Sequence, residues 1–174
     1  MREFFLTTAR IGFSKWTKED AGLAASLWGD AEVTRYICAS GRFSEEDVKE
    51  RLELEIENDA RFGIQYWPVF SLEGGTFLGC CGLRPHGIEK GVYELGFHLM
   101  KEHWGKGYAT EAAKAVIGYA FEKLNAANLT AGHHPQNEDS GKVLAKLGFH
   151  QTEHKYYPPT GLYHAAYLYR LPGQ

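Results

Sequence analysis

The stretch Trp104-Gly105-Lys106-Gly107-Tyr108-Ala109-Thr110-Glu111-Ala112-Ala113 decides the fold. From Ala109 onward, Ala109, Ala112, Ala113, Val116, Ile117, Ala120, Phe121 and Leu124 recur at i, i+3, i+4, i+7, i+8, i+11, i+12 and i+15. That is an unbroken apolar stripe of about four helical turns. Its alanines predict a helix lying close against a sheet. Three other helix starts carry acids in the first turn, at Glu19 and Asp20, at Glu45 to Asp47, and at Glu138 and Asp139. Acids there offset the positive end of the helix dipole. At this start no acid precedes Glu111, two glycines leave backbone N–H groups uncovered, and Lys106, Lys101 and His103 add positive charge. Such a start is open to a phosphate-type anion. A tight strand-to-helix turn without ligand is the plainer reading.

Two phosphate-loop patterns can be compared with it. GxxxxGK[ST] is absent, and GxGxxG is met at Gly105 and Gly107 but has Thr110 in its third place. The strand before it also belongs to a run of short-linked strands, not to the start of a βαβ unit. Upstream, Ile64 to Leu72 and Phe77 to Leu83 read as strands around the hairpin turn Glu73-Gly74-Gly75-Thr76. Arg84-Pro85-His86-Gly87 reads as a second turn and Val92 to Met100 as a third strand, which makes an antiparallel meander. Thr8 to Trp16 reads as a first strand. Thr17-Lys18-Glu19-Asp20 starts a helix to about Trp28, and Ser44-Glu45-Glu46-Asp47 starts another to about Asp59. Downstream, Leu129 to Gly132 is a short strand. Asn137 opens a helix that stops at Gly148, and Gln151 to Tyr157 and Leu162 to Leu171 are closing strands. The order β-α-α-β-β-β-α-β-α-β-β, with no linker or repeat, predicts one α/β domain over residues 1–174: a mixed, mostly antiparallel sheet flanked by helices.

Composition narrows the function classes. Nineteen Lys and Arg against 22 Asp and Glu give a net charge of −3, which argues against nucleic-acid binding by bulk charge. The 44% hydrophobic content argues against disorder. Three cysteines, two of them the adjacent Cys80 and Cys81, do not form a disulfide framework and fit a reducing compartment. No apolar run is long enough to cross a membrane, and the N-terminus lacks the pattern of a signal peptide. The expected location is the cytoplasm.

Gly105-Lys106-Gly107-Tyr108-Ala109-Thr110-Glu111-Ala112 resembles the acyl-CoA loop of the GNAT superfamily of N-acetyltransferases. Gly107 and Ala109 occupy the glycine and the glycine-or-alanine places of its signature, while Trp104 stands where Gln or Arg is usual. Glu94-Leu95-Gly96-Phe97-His98-Leu99, the Asn137-Glu138-Asp139-Ser140 start and Val143-Leu144-Ala145-Lys146-Leu147-Gly148-Phe149 are similar to the branch that includes the ribosomal-protein N-terminal (Rim-type) acetyltransferases. The resemblance is dense between Tyr93 and Phe149 and thin before Ile64.

The resemblance implies acetyl-CoA as co-substrate, no metal, and direct transfer to a primary amine without a covalent enzyme intermediate. It implies cofactor binding by Phe97, His98 and Leu99 on the strand, by Trp104, Gly105, Lys106, Gly107, Tyr108, Ala109 and Thr110 at the helix start, and by Asn137 and Ser140. The tyrosine that many members use to protonate the leaving thiolate falls at Leu144, which cannot donate. Ser140, three residues after Asn137, is the expected donor in its place. Glu94 is the leading general base, with Tyr93 competing because the register is uncertain by one. Asn137 also serves as a helix N-cap, Ser140 also reads as a plain first-turn serine, and Glu111 reads as structural, bonding a neighbouring loop. The acceptor is expected among protein N-terminal amines and small amines, and the enzyme as monomer or homodimer. The rival from another class is a non-catalytic acyl-CoA-binding sensor of the same fold.

Other features read as structural. Cys80 and Cys81 face opposite sides of a strand. The histidines lack metal-site spacing apart from His150 and His154. Arg42, Lys49 and Arg51 read as a solvated face. Tyr156, Tyr157 and Tyr163 with Pro158 and Pro159 form a stiff hairpin tip, either packed or lining an acceptor pocket with Trp28, Tyr36 and Phe43.

Overall fold

The apolar stripe and the strands around it assemble as one mixed sheet with helices on both faces. The computed structural model describes residues 2–173. Its strands are β1 (Leu6–Thr7), β2 (Ile11–Phe13), β3 (Tyr66–Ser71), β4 (Phe77–Gly87), β5 (Val92–Leu99), β6 (Asn128–His133), β7 (His150–Tyr157) and β8 (Leu162–Tyr169). Its α-helices are α1 (Ala21–Trp28), α2 (Ala31–Thr34), α3 (Glu45–Phe62), α4 (Tyr108–Lys123) and α5 (Glu138–Leu147). The sheet order is β1-β2-β3-β4-β5-β6-β8-β7.

Every neighbouring pair is antiparallel except β5 and β6. Parallel strands need a crossover, and α4 supplies it. One apolar layer joins the sheet to α4 and α5 and includes Ala112, Ala113, Val116, Ile117, Ala120 and Leu144. The other joins the opposite face to α1 and α3 through Trp16, Leu27, Trp28, Val48, Leu52 and Tyr66. Cys81 belongs to the first layer and Cys80 to the second, as the period of a strand requires.

Three expectations are corrected. The single strand expected from Thr8 is a hairpin of β1 and β2, because the Thr8 hydroxyl accepts from Ile11 N at 3.2 Å and turns the chain. Arg84-Pro85-His86-Gly87 is the end of β4, not a turn. Its residues pair with β5 at Arg84↔Glu94, Pro85↔Tyr93 and Gly87↔Val92, and the ladder steps over His86. Pro85 is tolerated beside that irregularity. The stretch before Tyr36 adds the short α2, capped by the Asp30 carboxylate accepting from Glu32 N at 2.9 Å.

Helix caps explain two other boundaries. The Ser44 hydroxyl accepts from Asp47 N at 3.1 Å, and the Asp47 carboxylate accepts from Ser44 N at 2.8 Å. This reciprocal cap starts α3 where the sequence predicts. At α5 the Asn137 side chain accepts from Ser140 N at 3.3 Å, and Gly148 ends the helix with φ of 97°.

Candidate active site

β5 and β6 stay together for only three residue pairs, Val92↔Asn128, Tyr93↔Leu129 and Glu94↔Thr130. Beyond Glu94, β5 pairs with β4 alone, and beyond Thr130, β6 pairs with β8 alone. Among the described residues, the facing edges of Leu95–Leu99 and Ala131–His133 therefore have no strand partner. Unpaired backbone N–H and C=O groups need other partners, and here they line a cleft of about 1180 Å³.

Alternation along β5 sorts its side chains. Tyr93, Leu95 and Phe97 pack with the α4 layer, while Glu94 and His98 line the cleft from the other face. Tyr93 is 9% exposed and belongs to the core, so of the two neighbours it is Glu94 whose side chain lines the cleft. Gly96 lies between Glu94 and His98, and a Cβ there would sit 2.1 Å from the Tyr66 hydroxyl oxygen. The glycine lets the Tyr66 ring cross the strand.

The glycine loop closes one end of the cleft. Gly105 and Gly107 have φ of 74° and 80°, a left-handed backbone that other residues rarely adopt. Gly107 is the N-cap of α4, and no side chain caps the helix. Its first N–H groups are open, as the sequence implies. Glu111 does not cover them. Its carboxylate accepts from the Thr8 hydroxyl at 2.5 Å, from Arg10 N at 3.1 Å and from Arg10 Nε at 2.6 Å. Burial alone would raise its pKa, but these bonds hold it below the ordinary carboxylate value.

Arg10 also donates from Nη1 to the Lys106 carbonyl at 3.0 Å, and its guanidinium lies 4.4 Å from the Tyr108 ring centroid. It braces the loop from the far edge of the sheet. Nothing local in the sequence marks Arg10 for this task. His103, Trp104, Gly105, Gly107, Tyr108, Ala109 and Thr110 all line the cleft, whereas Lys106 does not; its carbonyl is held by Arg10. The Trp104 indole donates to the Leu99 carbonyl at 2.9 Å, tying the loop to the end of β5.

Asn137, Ser140 and Leu144 line the α5 side of the cleft. Phe97, His98 and Leu99 line the β5 side, which brings all the expected site residues except Lys106 to one cavity. His98 Nδ1 accepts from the Trp28 indole N–H at 3.1 Å. Burial, and then the charges of Arg51 and Arg84, hold the imidazole well below its ordinary pKa.

The opposite end of the cleft departs from expectation. Arg51 is not part of a solvated face: its side chain is 8% exposed and its Nε donates to Glu55 at 2.9 Å. The other Glu55 oxygen accepts from Tyr66 N at 2.6 Å. Trp28 is fully buried and Phe43 packs against its layer, so neither lines the cleft. Tyr36 does line it, stacked on His134 at 4.9 Å. At the hairpin tip, Tyr157 stacks on His164 at 4.6 Å, and Tyr156 packs on Tyr163 at 5.6 Å. The Pro159 carbonyl accepts from Ala39 N at 2.7 Å, joining the tip to the loop after α2. Among the described residues, no three His, Cys, Asp or Glu side chains converge as metal ligands.

Residues 10–150 match the family model described as an acetyltransferase (GNAT) domain. The chain is 32% identical over 149 residues to the protein YkkB of Bacillus subtilis, covering 84% of this chain and 86% of YkkB. It is 30% identical over 144 residues to the N-acetyltransferase p20 of Bacillus licheniformis, covering 83% and 81%. The ribosomal-protein α-N-acetyltransferase RimL in complex with coenzyme A superposes with a TM-score of 0.82 at 11% identity, covering 99% of this chain and 100% of RimL. At that identity the last likeness concerns the fold alone. The splayed parallel pair, the uncapped glycine start of α4 and the family match together make this chain a member of the GNAT acetyltransferase family, an acyltransferase of the N-acetyltransferase class.

Proposed function

We propose that the protein transfers the acetyl group of acetyl-CoA to a primary amine by direct attack, without a metal and without a covalent enzyme intermediate. One observation carries this reading: the unpaired edge of β5 joins the open N-terminus of α4 and the side chains of Glu94 and Ser140 in a single cleft. The left-handed glycines and absent side-chain cap fit a pyrophosphate on the N–H groups of Gly105, Gly107, Tyr108 and Ala109. The edge of Phe97, His98 and Leu99 fits the amide-bearing arm of the cofactor and offers N–H groups to the acyl oxygen as negative charge develops there. RimL, of the same fold, is described in complex with coenzyme A.

Glu94 accepts the proton of the substrate ammonium, directly or through water, because only the free amine attacks. The nitrogen–carbon bond forms and the carbon–sulfur bond breaks. Ser140 gives its hydroxyl proton to the departing sulfur, and the second proton lost by the nitrogen restores the hydroxyl through solvent. The acceptor is a protein N-terminus or a small amine. The reaction belongs to one catalytic unit spanning residues 1–174, acting as monomer or homodimer. Free thiols at Cys38, Cys80 and Cys81 support a cytoplasmic setting.

Leu144, at 2% exposure, supplies no proton, which keeps a non-catalytic acyl-CoA sensor as the second reading. Mass spectrometry of products from peptides and small amines offered side by side with acetyl-CoA tests the proposal. Acetylated amine with matching thiol release supports it. Tight coenzyme A binding without amine-dependent thiol release supports the sensor instead.

A further inference from the structure

The cleft contains a charge arrangement that the transfer of an acetyl group does not require. Arg51 and Arg84 lie against the same Tyr66 ring, their guanidinium carbons 5.1 and 4.9 Å from its centroid. Both line the cleft. Arg51 is more than nine-tenths buried, yet among the described residues its Nη2 has no hydrogen-bond partner, and Arg84 Nε is likewise buried and unpartnered. Buried guanidinium nitrogens without acceptors are costly unless an anion completes them.

Their neighbours define the shape of that anion. Glu55 occupies one edge of Arg51 at 2.9 Å. Glu94 faces Arg84 at 3.7 Å, beyond hydrogen-bond distance, with His86 at 3.9 Å from its other oxygen. An unbonded Glu94–Arg84 pair presents opposite charges side by side. A molecule with ammonium and carboxylate on one carbon can exchange partners with both at once. The carboxylate meets the guanidinium and the ammonium meets the proposed base. The two arginines and two glutamates sum to zero, so a zwitterion keeps the site neutral, whereas a simple cation adds unbalanced charge.

The bond between Ala39 and Pro159 ties the loop after α2 to the β7–β8 tip, and Tyr36 from the one and Tyr157 from the other line the cleft. We propose that Arg84 and Arg51 form a carboxylate subsite beside Glu94, and that the acceptor is a small aminocarboxylate of the free α-amino acid class. This rests on the transferase reading above and names its substrate class.

The test offers the full chain, with acetyl-CoA, the free amino acids and the amines that lack only their carboxylate. Wild type is expected to favour the aminocarboxylate of its best pair about ten- to a hundredfold in kcat/KM. Arg84→Gln is expected to erase that preference through KM while acetyl-CoA binding is retained. Equal use of both pair members, or a preference that survives Arg84→Gln, overturns the proposal. If no amine is acetylated, thermal shift of the coenzyme A-loaded chain decides: an Arg84-dependent stabilisation by an amino acid supports the subsite, and none by any amino acid overturns it. Failure of transfer with retained amino acid binding counts against the transferase reading alone. Arg51→Lys serves as a second variant, since it keeps a charge for Glu55.

Discussion

The indole nitrogen of Trp28 donates to Nδ1 of His98 across 3.1 Å, so the imidazole carries its proton on Nε2 and enters the cleft neutral. Burial, then Arg51 and Arg84, lower its pKa well below the ordinary value. His164 is lowered to about 4, by burial and then by His134 and His133. The unfolded chain therefore binds protons below about pH 6.5 that the folded chain refuses. Stability from these groups is fully present above that pH and is lost as pH falls through it toward the folded values. Each contributes a slope of at most about 1.4 kcal/mol per pH unit. Urea unfolding between pH 7.5 and about 5 is expected to show this loss, reduced in His98→Gln. Ring 15N shifts of His98 are expected to remain those of the neutral Nε2–H form.

Arg10 links the β1–β2 turn to the loop before α4 through Glu111, the Lys106 carbonyl and the Tyr108 ring. Arg10→Ala is expected to weaken acetyl-CoA binding about three- to tenfold, with kcat less affected. Stability falls by about 1 kcal/mol or less, because the Arg10 side chain is substantially exposed. Isothermal titration with coenzyme A separates the two effects.

Glu94 and Ser140 have different assigned steps. Glu94→Gln is expected to lower kcat/KM by about 10²- to 10⁴-fold and to remove the acidic limb of the pH–rate profile. Ser140→Ala is expected to lower kcat by about 10²-fold with unchanged acetyl-CoA affinity. Unchanged turnover in a folded Ser140→Ala protein would falsify its role as proton donor.

Glu55 holds Arg51 and the backbone of Tyr66 in the interior, and the Gln65 side chain donates to its carbonyl at 3.0 Å. Gln65 in turn accepts from Trp16 N at 2.7 Å. Glu55→Ala leaves the Arg51 charge buried without its partner and is expected to cost about 3–5 kcal/mol in urea unfolding. Arg61→Ala, which removes an exposed pair with Glu57, is expected to cost under about 1 kcal/mol.

What the sequence determined by itself is local and periodic. The α4 stripe follows from side chains recurring with the helical turn. The Ser44–Asp47 and Asn137–Ser140 starts follow from donors three residues apart. The opposed faces of Cys80 and Cys81 follow from the period of a strand. The open, glycine-built start of α4 was legible because contrast with three acidic helix starts needs no partner from elsewhere.

Tertiary structure decided what depends on pairing across the chain. Glu94 rather than Tyr93 faces the cleft because a one-residue shift in β5 would exchange every side chain between its two faces. Arg84 belongs to a strand because β5 pairs with it, which overrides the turn character of Pro85 and Gly87. Arg51 lies inside because Glu55, Tyr66 and Trp28 surround it, although its neighbours in sequence are those of a solvated helix. Arg10 reaches the α4 loop across 96 residues of chain. Periodicity and capping are written in neighbouring residues. The splay of β5 from β6, and the arginines gathered beside it, exist only once distant segments share one sheet.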